Sequence, residues 1–242
     1  MRKILVIGAG RSATSLINYL LSNSQKEQWK VTVADYDLSL ASSKIQGHPN
    51  GAAIQFDIMD SAQRKKEIVN SDIVISMLPA SFHSHVAHEC LDENKNLVTA
   101  SYISQEMRAL NEEVTRKGLL FLNECGLDPG IDHMSAMKVI DSIRDKGGEL
   151  IAFESFTGGL IAPGTDPENP WEYKFTWNPR NVVLAGQGVV KFIQEGKYKY
   201  IPYQKVFRRT EQVFIPNYGY FEGYANRDSL KYRDLYTSLT RL

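Results

Sequence analysis

Apolar positions in the first 124 residues follow two alternating patterns. Short continuous runs, KILVI (3–7), KVTVAD (30–35), AAIQFD (52–57), DIVISML (72–78), NLVTAS (96–101) and LLFLNE (119–124), predict strands buried on both faces. Between them apolar residues recur three and four apart, which predicts helices over 11–24, 38–46, 61–70, 81–93 and 104–117. In the first helix Ala13, Leu16, Ile17, Leu20 and Leu21 form the stripe. Gly47 ends the second, Ser61 is the expected cap of the third, and Pro79 stops the fourth strand. Strands alternating with helices in this way predict βαβ units around a parallel sheet.

The pattern then changes. A helix is expected over 131–146, with Ile131, Met134, Met137, Ile140 and Ile143 on one stripe and Gly147-Gly148 as its stop. Beyond it the chain reads as strand-rich. ELIAFESFTGG (149–159) precedes a loop carrying Pro163, Pro167 and Pro170; YKFTW (173–177), a helix near 180–194 and apolar fragments around 206 and 213 follow. The final segment, EGYANRDSLKYRDLYTSL, is charged and aromatic and reads as a helix. A domain boundary is expected near 125–135, dividing the chain into 1–130 and 131–242.

Composition narrows the function classes. Basic and acidic residues balance at 28 each and 43% of residues are hydrophobic, so neither nucleic acid nor an anionic membrane is the expected partner. No apolar run has the length of a membrane span. MRKILVIGAG is not expected to be a signal peptide, because the apolar run meets Arg11 and Ser12 with no small-residue cleavage site behind it. Cys90 and Cys125 form no CxxC pair, which fits a reducing, cytoplasmic setting.

The chemistry begins at VIGAGRSA (6–13), a G-x-G-x-x-A turn that follows a strand and opens a helix. Gly8 suits a tight turn, Gly10 lets backbone approach a pyrophosphate, and Ala13 takes the third glycine's place at the helix–strand contact. The helix amino terminus with Arg11 and Ser12 then offers N–H groups to phosphate. Asp35, at the end of the second strand, is placed to accept bonds from ribose hydroxyls and to repel a 2′-phosphate, with Asp37 as fallback. That combination points to NAD rather than NADP; an S-adenosylmethionine site shares the turn and the acid and stays open as another reaction class. Asp57 ends the third strand on the adenine side, and SMLPAS (76–81) ends the fourth beside the cofactor.

His83, His85 and His88 lack acidic or cysteine partners at zinc spacing, so no metal is expected and they read as partly exposed residues at a helix start, with His83 nearest the crevice. Cys125 reads as a buried structural thiol. Arg208, Arg209, Lys231 and Arg233 read as solvated charges, whereas Arg227, flanked by Asn226 and Asp228, suits a carboxylate.

ENKNLVTASYIS, NECGLDPGIDHMSAMKVID, GGLIAPGTDPENPWEYKFTW and FEGYANRDSLKY together resemble the saccharopine dehydrogenase family, its glutamate-forming reductase branch included. The likeness covers nearly the whole chain. It implies an α/β protein with an amino-terminal Rossmann domain that binds a nicotinamide dinucleotide, followed by part of a second α/β substrate-binding domain. Gly8, Gly10, Arg11, Ser12 and Ala13 match the family's phosphate turn, Asp35 and Asp57 its adenosine side, and Leu78 a strand-end residue lining the cofactor. Ser101 and Tyr102 match a Ser-Tyr pair that reaches cofactor and substrate. Leu127, Asp128 and Pro129 match the Leu-Asp-Pro at the nicotinamide, Asn226 and Arg227 the substrate-carboxylate contact, and Thr176 a polar residue near the cofactor. Thr157 departs from the Cys that similar sequences carry before Gly-Gly.

The implied reaction interconverts saccharopine with L-glutamate and 2-aminoadipate 6-semialdehyde, an oxidation of a secondary-amine C–N bond in lysine metabolism. Asp128 and Tyr102 are the implied catalytic residues, with water through His133 as another proton acceptor; Asp132 reads as helix capping. Lysine 6-dehydrogenase, carboxynorspermidine dehydrogenase and a non-catalytic NAD-binding protein are the alternatives. Family members continue past residue 242, so a carboxyl-terminally truncated chain is expected. The aromatics Tyr218, Tyr220, Phe221 and Tyr224 then predict pairing between chains as a homodimer.

Overall fold

The computed structural model describes residues 1–185, 187–233 and 236. The chain divides into two compact units, Met1–Lys138 and the residues from Val139 on.

In the first unit six strands form one sheet: β1 (Arg2–Ile7), β2 (Trp29–Asp35), β3 (Gly51–Gln55), β4 (Ile73–Ser76), β5 (Asn96–Thr99) and β6 (Phe121–Leu122). They are all parallel, in the order β3-β2-β1-β4-β5-β6. This is the doubly wound nucleotide-binding arrangement, with its switch point between β1 and β4. The continuous apolar runs are explained by the pleat. Along β1, Leu5 and Ile7 enter one buried cluster while Ile4 and Val6 enter the other, on the opposite face. Each such buried side chain stabilises the fold by about 1.5–3 kcal/mol relative to exposure.

The connecting helices are α1 (Thr14–Glu27), α2 (Leu38–Ile45), α3 (Ser61–Val69), α4 (His83–Asp92), α5 (Gln105–Ala109) and α6 (Asn111–Arg116). The cap of α3 is Asp60, not Ser61: its carboxylate accepts from the N–H groups of Ala62 and Gln63. The single helix expected over 104–117 is two. The backbone loosens at Leu110 (ψ −10°), ahead of Asn111, whose helix preference is low. The last strand is also shorter than its apolar run. Only Phe121 and Leu122 pair with β5, and Glu124, at φ 60°, turns the chain off the sheet edge.

Helix α7 (Ile131–Asp145) crosses the division between the units. Its buried positions include Ala136 and Ile140, whereas Ile131 and Met134, expected on the apolar stripe, are exposed. The hydrogen bonds from the N–H groups of Ile131 and Asp132 back to Gly126 and Leu127 set which way its first turn faces. In the second unit, helix α8 (Pro179–Ala185) is followed by two antiparallel hairpins. They are β7 (Val190–Gln194) with β8 (Lys197–Ile201) and β9 (Thr210–Ile215) with β10 (Gly219–Tyr224).

Here the sequence expectations hold less well. The expected helix over 180–194 gives way to β7, because Glu195 and Gly196, at φ 51° and 71°, form a two-residue hairpin turn. The apolar fragment near 206 is a 3-10 turn that buries Val206 with Val190 and Ile201. Residues 149–159 and 173–177 are not strands: among the described residues none pairs with them, and unpaired backbone cannot settle as sheet. The helix expected at the carboxyl end is a single 3-10 turn over Ser229–Tyr232, and its remainder lies largely outside the described residues. No described helix is long and apolar enough to cross a membrane.

Candidate active site

The carboxyl ends of the parallel strands carry the polar chemistry. Where β1 stops, Gly8 takes φ +104°, and a Cβ there would stand 2.9 Å from the Met77 carbonyl oxygen. Its N–H donates to the Ala34 carbonyl at 2.8 Å, so the turn is pinned between β2 and β4 and admits only glycine. Gly10 has the opposite surroundings. Nothing lies within 4 Å of a Cβ built on it, and it faces the open mouth of the 3-10 turn Arg11–Ala13 that leads into α1. A phosphate can approach there against backbone N–H groups, beside the exposed Arg11 and Ser12. Ala13 is buried against the sheet, as the third position of the motif requires. These residues fit a dinucleotide pyrophosphate.

Asp35 ends β2 as expected, but its carboxylate is engaged. One oxygen accepts the Ala9 N–H at 2.7 Å and the other the Asp37 N–H at 3.0 Å. The residue therefore clamps the glycine turn to β2. Asp37 caps α2, and the hydrogen bonds from the Ser39 hydroxyl and the Leu40 and Ser39 N–H groups hold its carboxyl below the usual range. Asp57 lies past the end of β3, exposed, and accepts the Met59 N–H at 2.9 Å. Leu78, half-buried, follows β4.

His83 corrects the sequence reading. It is buried, not partly exposed, because α4 places it on the same stripe as Val86, Ala87, Cys90 and Leu91. Its Nδ1 lies 2.9 Å from Ser76 Oγ, and its Nε2 lies 2.7 Å from Ser101 Oγ and 3.1 Å from Thr99 Oγ1. Burial pushes its pKa down to about 4, and none of its hydrogen-bond partners is charged. An unfolded chain takes up this proton near pH 6.5, so stability should be flat above that pH and fall between 6.5 and 4. The loss should reach about 3 kcal/mol. Denaturant midpoints measured from pH 7.5 to 4.5 check this; a slope unchanged in His83→Asn would assign it to other groups. His85 and His88 are exposed, as expected.

Ser101 and Tyr102 follow β5, and the next polar group comes from the loop after β6. The N–H groups of Glu124 and Cys125 donate to the carbonyls of Ser101 and Thr99, and Glu124 Oε1 accepts the Ile103 N–H at 3.1 Å. That docking carries the following loop to the β5 end, where the Tyr102 hydroxyl donates to Asp128 Oδ1. Asp128 is joined to Pro129 by a cis bond, and the loop closes on itself. The Gly126 N–H donates to the Pro129 carbonyl at 2.9 Å, and the Gly130 N–H to Asp132 Oδ1 at 2.7 Å. Leu127 and Asp128 are exposed, whereas Pro129 is buried. Asp132 thus stabilises the helix entry, and the half-buried His133 lies 3.8 Å from it and 4.0 Å from Glu124.

Cys125 is exposed, contrary to expectation, because β6 ends before it; Cys90 is the buried thiol, and burial pushes it up to about 12. Among the described residues no cluster of His, Cys, Asp and Glu could hold a metal ion. Thr176, Asn226 and Arg227 belong to the second unit. Thr176 Oγ1 donates to the Gly159 carbonyl at 2.9 Å, close along the chain to the exposed Thr157. Arg227 takes φ 44° in a turn that receives the Lys191 N–H, and the Asn226 carbonyl accepts from Ser229. Arg209 is exposed, as expected, and its guanidinium donates to Gln194 and lies over the Phe192 ring.

Sequence reasoning missed Thr99 and Glu124, and it put Ser76 and His83 near the crevice without their burial or their contact. The stripe His83, Val86, Ala87, Cys90, Leu91 was a legible signal for His83; nothing local marked the others.

Two family models match the chain: the saccharopine dehydrogenase NADP binding domain over residues 4–122 and the saccharopine dehydrogenase C-terminal domain over residues 126–241. The chain is 38% identical over 237 residues to the saccharopine dehydrogenase [NADP(+), L-glutamate-forming] of Saccharomyces cerevisiae, covering 97% of the chain and 52% of that protein. It is 35% identical to an alpha-aminoadipic semialdehyde synthase of Arabidopsis thaliana, covering 96% of the chain and 24% of that protein. The structure of apo saccharopine dehydrogenase (L-Glu forming) from Saccharomyces cerevisiae superposes with a TM-score of 0.87 at 36% identity, covering 98% of this chain and 52% of that one. The chain spans about half the length of the Saccharomyces relative it matches.

Proposed function

From the premise that this chain belongs to the saccharopine dehydrogenase family, we propose that it serves the interconversion of saccharopine with L-glutamate and 2-aminoadipate 6-semialdehyde. The observation that supports this best is the Tyr102–Asp128 hydrogen bond at the end of β5, in the same unit as a glycine turn shaped for pyrophosphate. Bound nicotinamide supplies the hydride acceptor. The protein's part is orientation and charge. Asp128 accepts from the substrate's secondary amine, Tyr102 fixes that carboxylate, and Ser101 and Leu127 border the same ground. Asn226 and Arg227 are proposed to take a substrate carboxylate, and Thr176 to approach the cofactor. In this reading residues 1–130 bind the dinucleotide and 131–242 form part of the substrate domain. Pairing through the exposed Tyr218, Tyr220 and Tyr224, and a reducing compartment suited to two free cysteines, complete the proposal.

The choice of dinucleotide turns on Asp35. The expectation of NAD rested on a carboxylate that meets ribose; each Asp35 oxygen accepts one backbone N–H group and keeps a further acceptor site, while Asp37 caps α2. The Saccharomyces relative carries NADP(+) in its name and the family model over residues 4–122 is an NADP binding domain, and we take NADP as the cofactor. NAD is the second reading, favoured by the two negative charges of Asp35 and Asp37 with no Lys or Arg between residues 31 and 43. Fluorescence titration of the chain with NADPH and NADH separates them. Tighter NADPH supports the first; NADH tighter by about tenfold, 1.4 kcal/mol, returns the choice to charge repulsion. Binding of neither removes the functional proposal.

A further inference from the structure

Ser76 and Thr99 end adjacent parallel strands as register partners, and α4 lowers the His83 ring between them. The three side chains are buried, at 0%, 1% and 4% exposure, in surroundings that include Val86, Ala87, Cys90 and Leu97. An imidazole and two hydroxyls are costly there unless every one is hydrogen-bonded, and an apolar side chain would pack at less cost. The arrangement leads outward. The ring's far nitrogen reaches Ser101, which is half-buried at the rim beside Tyr102 and Asp128.

We propose that His83 is a positioning residue of the candidate site, holding the Ser101 hydroxyl in one rotamer toward the bound dinucleotide. The inference rests on the proposed reading of Ser101 as a ligand contact. With Nδ1 against Ser76 and Nε2 against Thr99 and Ser101, the ring is held at both ends, so the nitrogen that meets the Ser101 hydroxyl keeps one place. Whatever capacity Ser101 retains is then presented in a set direction, without the entropy cost of ordering it on binding. His83 itself stays behind the serine and acts only through it.

The test is a double-mutant cycle in the full chain with His83→Asn and Ser101→Ala, read by NADPH titration and thermal melting. Asn keeps a polar group near Ser76 but falls short of Ser101. Ser101→Ala should weaken NADPH binding by about tenfold, the scale of one hydrogen bond, and His83→Asn by several-fold. In the Ser101→Ala background, His83→Asn should change binding less than about twofold. Equal fold-losses in both backgrounds, or none in either, would overturn the inference. A second measurement needs neither nucleotide nor variant: the Ser101 Hα–Hβ couplings should report a single χ1 rotamer in the ligand-free chain. Rotamer-averaged couplings would overturn the positioning role. Absence of NADPH and NADH binding would instead remove the proposed function, with the Ser101 rotamer still deciding for or against His83.

Discussion

Replacing Asp128 by Ala is expected to lower saccharopine turnover by about 10²–10⁴-fold, the range of a positioned acid–base group. The dinucleotide dissociation constant should move by less than about tenfold, since one lost hydrogen bond to a ligand is worth about 0.5–1.5 kcal/mol. The asymmetry follows from placement. Asp128 is exposed at the loop tip, one of its oxygens takes the Tyr102 hydroxyl, and its remaining lone pairs are available to a protonated secondary amine. Steady-state kinetics beside a nucleotide titration decide the matter; losses of similar size in both would remove Asp128 from the chemistry and leave it a structural loop residue.

The second large effect is at Gly130. Replacement by Ala should destabilise the first unit by about 3 kcal/mol or more and lower its melting temperature by roughly 10 °C. The added Cβ would collide with the Gly126 carbonyl oxygen and lie 2.7 Å from the Gly126 nitrogen and 2.8 Å from the Glu124 carbonyl oxygen. All three are backbone atoms in a loop tied by its own hydrogen bonds, so no side chain can swing aside. A φ of +149° adds to the cost for any L residue. The same change at Gly10, where φ is −60° and space is open, should leave the melting temperature in place while obstructing pyrophosphate. If Gly130→Ala melts within a degree of wild type, the loop is softer than its hydrogen bonds require.

Much of the first unit was legible along the chain. Apolar runs of strand length between helical stripes determined the alternation, and the G-x-G-x-x-A turn determined where a dinucleotide belongs, because both signals are local and repeat at the period of the element they build. The motif residues Ser101, Tyr102 and Asp128 were also legible as types. Their meeting was not. Tyr102 and Asp128 lie 26 residues apart and are joined only because β6 pairs beside β5 and Glu124 turns the chain back. Asp35 shows the same limit: its position was readable, but a single sequence does not say that the N–H groups of Ala9, from the glycine turn, and of Asp37 each bond to one of its oxygens.

The second unit was misread for a physical reason. Residues 149–159 and 173–177 have strand composition without a described partner, while residues 190–194 have helical spacing yet pair across a two-residue turn. Strand formation depends on what lies alongside, which periodicity does not encode. The sequence by itself determined most element types of the amino-terminal half and the place of its glycine turn. Tertiary structure alone decided that His83 is buried behind Ser101 and that Asp128 faces Tyr102, since those contacts depend on which strands end side by side.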